Sequence, residues 1–176
     1  MKVEDNFLDQ KVFDGLQALI VDGDFDWYYN PYVVYETPPD NEFQFTHVFY
    51  RHNSPLSLHF KILKPILEII NPVILYRIKA NLRTRTPNIL ESEFHVDIDD
   101  NLIAEDVKIK QWWTAILYMN TNNGYTEFED GTKVESIANR MVTFPANLIH
   151  RGTSCSDEKI RVVINFDYFK WDIKEY

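Results

Sequence analysis

The sequence predicts a mainly β protein in which N-terminal helices pack on an antiparallel, jelly-roll-like β core. The chain changes character once, near Pro72: apolar residues recur at helical spacing before it, and short β-rich runs follow it. Turn signals separate many of these runs, including Asn123-Gly124 and Asp130-Gly131, and the latter is a strong hairpin cue. Short strands at this spacing are typical of an all-β sandwich or barrel.

Two helices are predicted in the N-terminal part of the chain. The first depends on four apolar residues at helical spacing and a glycine that offers a stop: Phe13, Leu16, Leu19, Ile20 and Gly23. For the second, Ser54 resembles an N-cap and Pro55 a first helical position, leading into LSLHFKILKPILEII. Pro65 lies within that run and should kink the helix or restart it.

The β-rich runs predict the strands of the core: VILYRIKANLR, EFHVDI, VKIKQWWTAILYM, YTEFE, TKVES, RMVTF and IRVVINFDYF. The chain has 176 residues, 45% of them hydrophobic, and shows no internal repeat or Gly/Ser linker. We therefore expect one domain, residues 1–176, because this length and composition suit a single core. Residues 1–72 are the predicted N-terminal helical support region, and residues 73–170 the jelly-roll core.

Composition excludes several classes of function. A net charge of −9 and a pI near 5.0 disfavour general nucleic-acid binding, which usually needs a basic surface. No run of about 18 apolar residues occurs and the first residues lack a signal-peptide pattern, so we expect no membrane association. The lone Cys155 cannot form an internal disulfide. These features favour a cytoplasmic protein.

A candidate metal site lies in the run EFHVDI. Residues two apart on a strand point to the same face, so His95 and Asp97 project together with Cα atoms about 6.6 Å apart. Asp99 shares that face, but lies about 13 Å from His95 on a straight strand and is the poorer ligand. His150 follows the strand RMVTF and can close the site if the strands fold back. Two imidazoles and one carboxylate leave coordination positions open, which suits non-haem iron(II).

An arginine in the last core strand is a second candidate site residue. Arg161 follows His150 by 11 residues and begins the apolar strand RVVINFDYF, from which it would point inward. A permanently charged guanidinium in such a strand requires an anionic partner. The alternative is an arginine at a strand end that reaches solvent or Glu158. Taken singly, each of these signals is weak, and the prediction depends on their joint pattern.

Five ordered elements carry a resemblance to a known family: FHVD, TAILYMN, a glycine-containing turn followed by TEFEDG, NRMVTFPANLIHRGT, and Arg161. In this order they resemble the prolyl 4-hydroxylase-like branch of the iron(II)/2-oxoglutarate dioxygenases. The resemblance covers roughly residues 75 to 170. It implies a double-stranded β-helix, or jelly-roll, core.

The resemblance also implies roles for individual residues. His95, Asp97 and His150 become the iron ligands, and Arg161 becomes the partner of the 2-oxoglutarate C5 carboxylate. Tyr118, in TAILYMN, becomes the hydroxyl partner of the same carboxylate. Two further expected cofactor-binding residues are Thr114, on the same strand face, and Asn81, in KANLRTRT. The latter run resembles the Asn-x-Tyr strand of the nucleic-acid demethylase branch, with Arg83 in place of the tyrosine.

The activity implied by the resemblance is hydroxylation of an amino-acid or peptidyl substrate, with proline as the family-level expectation. The cofactors implied are Fe(II), 2-oxoglutarate as co-substrate, O2 and ascorbate. 2-Oxoglutarate would be converted to succinate and CO2. The partner is then a small-molecule or peptide substrate, which the fold class alone does not identify.

A basic strand face bears on the charge of that substrate. Arg77, Lys79, Arg83 and Arg85 alternate with apolar residues and share one face with Asn81. If this face turns toward the iron pocket, Arg77 and Arg83 flank its entrance and favour an anionic substrate. The alternative is a solvated face on an edge strand, where charges protect against aggregation.

Two other functions remain open from the sequence. A cupin-like metal-dependent isomerase or lyase would share the β core but would not need Arg161 and Tyr118 as an oxoacid clamp. A non-catalytic jelly-roll binding module would carry His95, Asp97 and His150 by coincidence. Turnover of 2-oxoglutarate to succinate by the iron-loaded protein discriminates among the three.

Overall fold

The computed structural model describes residues 1–34, 42–98 and 111–171. Within these ranges the strands are β1 (Lys2–Glu4), β2 (Tyr28–Asn30), β3 (Gln44–Arg51), β4 (Ser54–Pro55), β5 (Ile74–Thr84), β6 (Trp112–Tyr118), β7 (Tyr125–Phe128), β8 (Lys133–Glu135), β9 (Arg140–Pro145), β10 (His150–Gly152) and β11 (Ile160–Phe169). The helical segments are α1 (Gln10–Gln17), which continues into a π-helical turn (Ala18–Asp22), a 3-10 helix (Leu58–Leu63) and α2 (Lys64–Ile70).

The strands form a large and a small antiparallel sheet that face each other. The large sheet has the order β1-β9-β6-β11-β5-β3-β2, with β4 paired to β3, and the small sheet has the order β10-β7-β8. Apolar residues of both sheets form one cluster between them: Ile116, Tyr118, Phe128, Val134, Val142, Phe144 and Val163. This arrangement is a double-stranded β-helix and confirms the predicted jelly-roll core.

The opposite face of the large sheet carries the helices. Alternate residues of β5 and β11, including Ile78, Ala80 and Ile164, are fully buried on this face. They pack in one cluster with Phe13 of α1 and Ile66 of α2. The helices thus cover the outer face of the sheet, and the inner face is left to line the space between the two sheets.

The first predicted helix is confirmed. Asp9 caps α1, and its side chain accepts a hydrogen bond of 3.0 Å from the backbone N–H of Lys11. Phe13 and Leu16 are buried, as their spacing predicts. The helical region ends at Asp22, immediately before Gly23.

The predicted start of the second helix is wrong. Ser54 and Pro55 form β4, which pairs with the end of β3 across a two-residue turn at His52 and Asn53. Both turn residues have positive φ, 53° and 59°, which is the backbone geometry of a tight hairpin. A capping serine and a hairpin serine look alike in sequence, because the following proline fits both positions.

The helical segment that follows begins at a different serine. Ser57 accepts a hydrogen bond of 3.0 Å from the backbone N–H of His59 and so caps the 3-10 helix. Pro65 lies in the first turn of α2, so the predicted restart at this proline is confirmed. Asn71 ends α2 in the left-handed region, at φ 47°.

The strand predicted for EFHVDI is not formed. Residues 93–98 make a single antiparallel bridge, between His95 and His150. Their partner strand β10 has three residues and pairs along its whole length with β7 on its other side. Asp99 and the first residues of the run VKIKQWWTAILYM lie outside the described residues, as part of 99–110.

Residues 1–72 contain strands as well as helices. β1 lies at one edge of the large sheet, next to β9, and β3 pairs with β5 in its interior. The segment predicted as helical support therefore also extends the sheet, while the boundary at residue 72 stays a prediction. In the described part of the chain, no helix has the length and apolar character needed to cross a membrane.

Candidate active site

The three predicted metal ligands converge at one end of the space between the sheets. One ligand atom from each of His95, Asp97 and His150 lies within 4.8 Å of the others. The side chains of Asp97 and His150 are only 5% and 3% exposed, so the site is largely shielded from water. The structure thus brings together three residues that are separated by up to 55 positions in sequence.

Backbone hydrogen bonds hold the two histidines together and orient their rings. His95 N–H donates to His150 O at 2.9 Å, and His150 N–H donates to His95 O at 3.0 Å. The Nδ1 atom of His150 lies 2.9 Å from Leu148 O, and that of His95 lies 3.1 Å from Glu93 O. Because a carbonyl oxygen accepts a hydrogen bond from Nδ1–H, each ring in its neutral form has an unprotonated Nε2, which is the atom that would ligate a metal. Burial lowers the pKa of His95, which favours this neutral form.

Asp97 presents one oxygen to the histidines. Arg77 Nη2 donates to Asp97 Oδ1 at 2.8 Å. The other oxygen, Oδ2, lies 3.3 Å from His150 Nε2, and this buried atom accepts no hydrogen bond from residues 1–34, 42–98 and 111–171. Burial acts to raise the pKa of Asp97, but the interactions with His150 and then Arg77 dominate and lower it, so the carboxylate is charged. Asp97 in turn raises the pKa of His150 against the effect of burial, so without a metal His150 Nε2 tends to carry a proton, which a metal would displace. An orphaned carboxylate oxygen beside two imidazole nitrogens fits a divalent cation such as iron(II).

Arg161 lies on the same inner face and is 5% exposed. Its Nε donates to Ser136 Oγ at 2.8 Å, and its Nη2 donates to Thr126 Oγ1 at 3.4 Å. No carboxylate among the described residues pairs with it, and the alternative partner Glu158 makes no ion pair with it. Burial lowers the pKa of Arg161 to about 10, so the guanidinium remains charged at neutral pH. The guanidinium also lies over the Tyr118 ring, 5.6 Å from its centroid. Within the described residues, this buried cation therefore has hydroxyl and aromatic partners but lacks the anion that its position requires.

A single cavity joins the metal ligands to Arg161. Its volume is about 320 Å³, at the lower end of small-molecule sites. The metal ligands, Arg161 and Asn81 all line it. Asn81 also has a buried Oδ1 atom that accepts no hydrogen bond from the described residues, and its role in cofactor binding stays a prediction.

Tyr118 contacts Thr126, which lines the cavity. It is fully buried, and its hydroxyl donates to Thr126 Oγ1 at 2.8 Å. Tyr118 does not line the cavity, whereas Thr126 does. Direct contact between Tyr118 and the oxoacid therefore stays a prediction, and in this structure its hydroxyl supports Thr126.

Thr126 is a candidate that sequence reasoning missed. Its Oγ1 accepts hydrogen bonds from both Tyr118 and Arg161, so its own proton is free to be donated within the described structure. The available signal was the alternation in YTEFE, which places Thr126 and Phe128 on one face. The register that sets Phe128 opposite His150, and Thr126 opposite Gly152, exists only in the folded chain.

Thr114 does not line the cavity. Its hydroxyl donates to Asp167 Oδ1 at 3.1 Å, and both residues are fully buried. Asp167 in turn accepts a hydrogen bond of 2.8 Å from Arg77 Nε. Thr114 thus supports the network behind Asp97, and its expected contact with the oxoacid stays a prediction.

The basic face of β5 turns toward the cavity, since Arg77, Lys79 and Arg83 all line it. The solvated-edge alternative is wrong, because β5 lies between β11 and β3 in the sheet. Arg77, however, pairs with two carboxylates, and Arg83 pairs with Glu42 at 3.1 Å. Both arginines are therefore held by protein groups, which corrects the expectation that they are available to select a substrate.

The sequence matches no protein-family model and no curated protein. Solved structures nevertheless share the fold. Prolyl-4-hydroxylase from Pseudomonas putida has 15% identity and a TM-score of 0.55, over 96% of this chain and 92% of that one. A prolyl hydroxylase from Trichoplax adhaerens, in complex with a hypoxia inducible factor peptide fragment, has 12% identity and a TM-score of 0.64, over 96% and 82%. HygX from Streptomyces hygroscopicus, with nickel and 2-oxoglutarate bound, has 12% identity and a TM-score of 0.58, over 99% and 84%.

These similarities establish the fold. The chain has the double-stranded β-helix fold of prolyl hydroxylases and other 2-oxoglutarate–iron oxygenases. Identities of 15% and below show no more than that. What the cavity does must be argued from its own residues.

Proposed function

We propose that the protein is an Fe(II)- and 2-oxoglutarate-dependent dioxygenase that hydroxylates an amino-acid or peptidyl substrate, with a prolyl residue as the first candidate. One observation carries the proposal: a single cavity contains both the His95, Asp97 and His150 cluster and the buried guanidinium of Arg161, which no described carboxylate neutralises. A metal site alone would suit many reactions. A metal site with a buried cation in the same cavity suits a co-substrate that is both a chelator and a carboxylate.

Different residues of the chain would bind the iron and the 2-oxoglutarate. His95 Nε2, His150 Nε2 and Asp97 Oδ2 would hold the iron on one side and leave its other positions open. Arg161 would pair with the far carboxylate of 2-oxoglutarate, and Thr126 would donate a hydrogen bond to it. Iron(II) and 2-oxoglutarate, when bound, supply the oxidation of a substrate C–H bond by O2, with conversion of 2-oxoglutarate to succinate and CO2. The two sheets shield this chemistry from bulk water.

The volume of the cavity and the similarity to solved structures both support this class of substrate. A cavity of about 320 Å³ that must also hold the oxoacid leaves room for a small group, such as an amino-acid side chain. One protein of the same fold was solved with a peptide fragment bound. Both facts favour an amino-acid or peptidyl substrate over a large rigid molecule.

The test measures succinate formed from 2-oxoglutarate in air, with and without added Fe(II). We expect metal-dependent succinate formation by the parent protein and none by the Asp97→Ala protein. Asp24→Ala is the matched control, because Asp24 is exposed and remote in sequence from the cluster. Candidate substrates, beginning with free proline and prolyl peptides, are then screened by mass spectrometry for the gain of one oxygen atom.

The same assay separates the proposed dioxygenase from both alternatives. A cupin-like metal-dependent isomerase or lyase would bind metal through the same cluster but would not consume 2-oxoglutarate. A non-catalytic jelly-roll binding module would neither consume 2-oxoglutarate nor require the cluster. Equal succinate formation by the parent and the Asp97→Ala protein would contradict the proposal.

A further inference from the structure

Lys79 is a cation in the cavity that neither the metal cluster nor the oxoacid clamp uses. It lies on the inner face of β5, lines the cavity and is partly buried. Its Nζ atom has no hydrogen bond and no ion pair within residues 1–34, 42–98 and 111–171. Among the basic residues that line the cavity, Arg77 and Arg83 have carboxylate partners, and Arg161 is assigned to the oxoacid.

Asn165 lies beside Lys79 and is also unsatisfied. The two residues are direct partners in the pairing of β11 with β5, so their Cβ atoms are about 5 Å apart on the same face. Asn165 lines the cavity, and neither its Nδ2 nor its buried Oδ1 atom has a hydrogen-bond partner among the described residues. A carboxylate can accept from both Lys79 Nζ and Asn165 Nδ2, whereas Asn165 Oδ1 is left to accept from a donor such as the amino group or amide of the same molecule.

This pair lies at the metal end of the cavity, away from the oxoacid clamp. Lys79 is two residues from Arg77, which contacts Asp97, whereas Arg161 pairs in register with Arg83. Asn165 and Arg161 are four residues apart on β11, which corresponds to about 13 Å along the strand. An oxoacid anchored at Arg161 therefore leaves the Lys79–Asn165 pair for a second molecule near the metal.

Charge balance indicates how many anionic groups that molecule carries. The described residues at and around the cavity carry three positive charges, on Arg77, Lys79 and Arg161, and two negative charges, on Asp97 and Asp167, while Arg83 and Glu42 cancel each other. Iron(II) and the doubly charged 2-oxoglutarate also cancel. One positive charge is then left in the cavity, and an uncompensated charge in a shielded site is costly. One carboxylate on the substrate neutralises it.

We propose that the Lys79–Asn165 pair binds a single carboxylate of the substrate, and that the protein therefore acts on a carboxylate-bearing amino acid or peptide. This inference depends on the proposed function. The carboxylate is either the α-carboxylate of a free amino acid or the side chain of an acidic residue in a peptide. Lys79 and Asn165 recognise the same group in both cases.

The experiment titrates probes into protein loaded with Mn(II) and 2-oxoglutarate in the absence of oxygen, and measures binding by calorimetry. The first set of probes is the free L-amino acids, and the second is the same amino acids as C-terminal amides. The third is tripeptides with blocked ends and a central aspartate or glutamate. Binding in the first set identifies a free amino acid, and binding in the third set alone identifies an acidic peptide.

Three variants assign the binding to Lys79. Lys79→Met should weaken the binding of the carboxylate probe by about tenfold or more, which is about 1.4 kcal/mol, because it removes the charge. Lys79→Arg should bind within about threefold of the parent, because the charge remains. Lys11→Met is the control for the change in net charge, since Lys11 is exposed on α1, and it should bind as the parent does.

Several results would overturn the inference. They are equal binding of the acids and their amides, no binding of any carboxylate probe, or a Lys79→Met protein that loses affinity for 2-oxoglutarate rather than for the probe. The last result would assign Lys79 to the co-substrate. Failure of the proposed function would show at the loading step, because the protein would then not bind 2-oxoglutarate before any probe is added.

Discussion

Arg77 fixes the carboxylate of Asp97 through a hydrogen bond of 2.8 Å from Arg77 Nη2 to Asp97 Oδ1. The same guanidinium donates to Asp167 Oδ2, also at 2.8 Å, and Asp167 is fixed in turn by Thr114. Because Oδ1 is occupied, only Oδ2 is free toward the histidines. The structure thus orients Asp97 to bind a metal through one carboxylate oxygen.

Arg77→Lys should therefore weaken metal binding by about tenfold or more, since partners behind a metal ligand typically contribute that much. A lysine keeps the charge but cannot bridge both carboxylates with a planar fork. The measurement is a titration with Fe(II) under nitrogen, or with Mn(II). Arg85→Met serves as the control, because Arg85 is exposed. An unchanged metal affinity in Arg77→Lys would mean that Asp97 is oriented by other contacts.

Arg161→Met should raise the concentration of 2-oxoglutarate needed for half-saturation by roughly a hundredfold. Removing one partner of a buried, hydrogen-bonded charge pair typically costs about 2 to 5 kcal/mol. The affinity for Fe(II), measured on the same protein, should change little, because Arg161 lies at the other end of the cavity. Equal 2-oxoglutarate dependence in variant and parent would remove Arg161 from the co-substrate site.

Thr126→Val should raise the 2-oxoglutarate requirement by about fivefold to tenfold, because one neutral hydrogen bond is lost. Tyr118→Phe should have a smaller effect, since its hydroxyl reaches the cavity only through Thr126. Steady-state titrations of 2-oxoglutarate on both variants give the order of the two effects. If Tyr118→Phe is the more damaging change, Tyr118 contacts the co-substrate directly, as the family resemblance implies.

Gly124→Ala should weaken both folding and 2-oxoglutarate binding. A Cβ atom at Gly124 would lie 2.6 Å from Arg161 Cδ and 2.6 Å from the backbone oxygen of Ser154. Relieving such a clash typically costs about 1 to 3 kcal/mol and would displace Arg161. Thermal unfolding and 2-oxoglutarate titration test both effects.

Gly15→Ala is the matched control for that substitution. A Cβ atom at Gly15, within α1, meets nothing within 4 Å. Alanine has the higher helix propensity, so this variant should be about 0.5 to 1 kcal/mol more stable than the parent. Destabilisation by Gly15→Ala that equals that of Gly124→Ala would show that loss of glycine, and not the clash, is responsible.

Lys79 should make the stability of the metal-free protein depend on pH in the alkaline range. Burial, and then the charge of Arg77, lower its pKa from 10.5 to about 8. The folded protein then binds this proton less tightly than the unfolded chain does. The resulting penalty is fully present below pH 8 and disappears as the pH rises toward 10.5.

The free energy of unfolding of the parent, relative to Lys79→Met, should therefore rise by about 2 kcal/mol between pH 8 and pH 10.5. Denaturant titrations at several pH values measure this difference, and Lys11→Met should show none of it. Parallel pH curves for the parent and Lys79→Met would mean that Lys79 is solvated or paired in the folded protein.

The sequence by itself determined the fold class and identified the residues that converge on the site. The spacing of His95 and Asp97, the later His150 and the inward Arg161 are properties of local alternation and of order along the chain. Local alternation fixes which face of a strand a side chain occupies. It does not fix which residues of that face line the cavity, since Thr114, Ile116 and Tyr118 share one face of β6 and of these three only Ile116 lines it. The same argument placed the basic residues of β5 on one face of the strand, and the structure decided that this face turns toward the cavity.

Only the tertiary structure decided which groups meet across that cavity. The register of β11 against β5 sets Asn165 opposite Lys79, and the register of β10 against β7 places Thr126 near Arg161. The carboxylate partners of Arg77 are 20 and 90 positions away, so no local pattern could show that this arginine is occupied and Lys79 is free within the described structure. Pairing between distant strands depends on the packing of the whole sheet, which a pattern of residues along one strand does not contain.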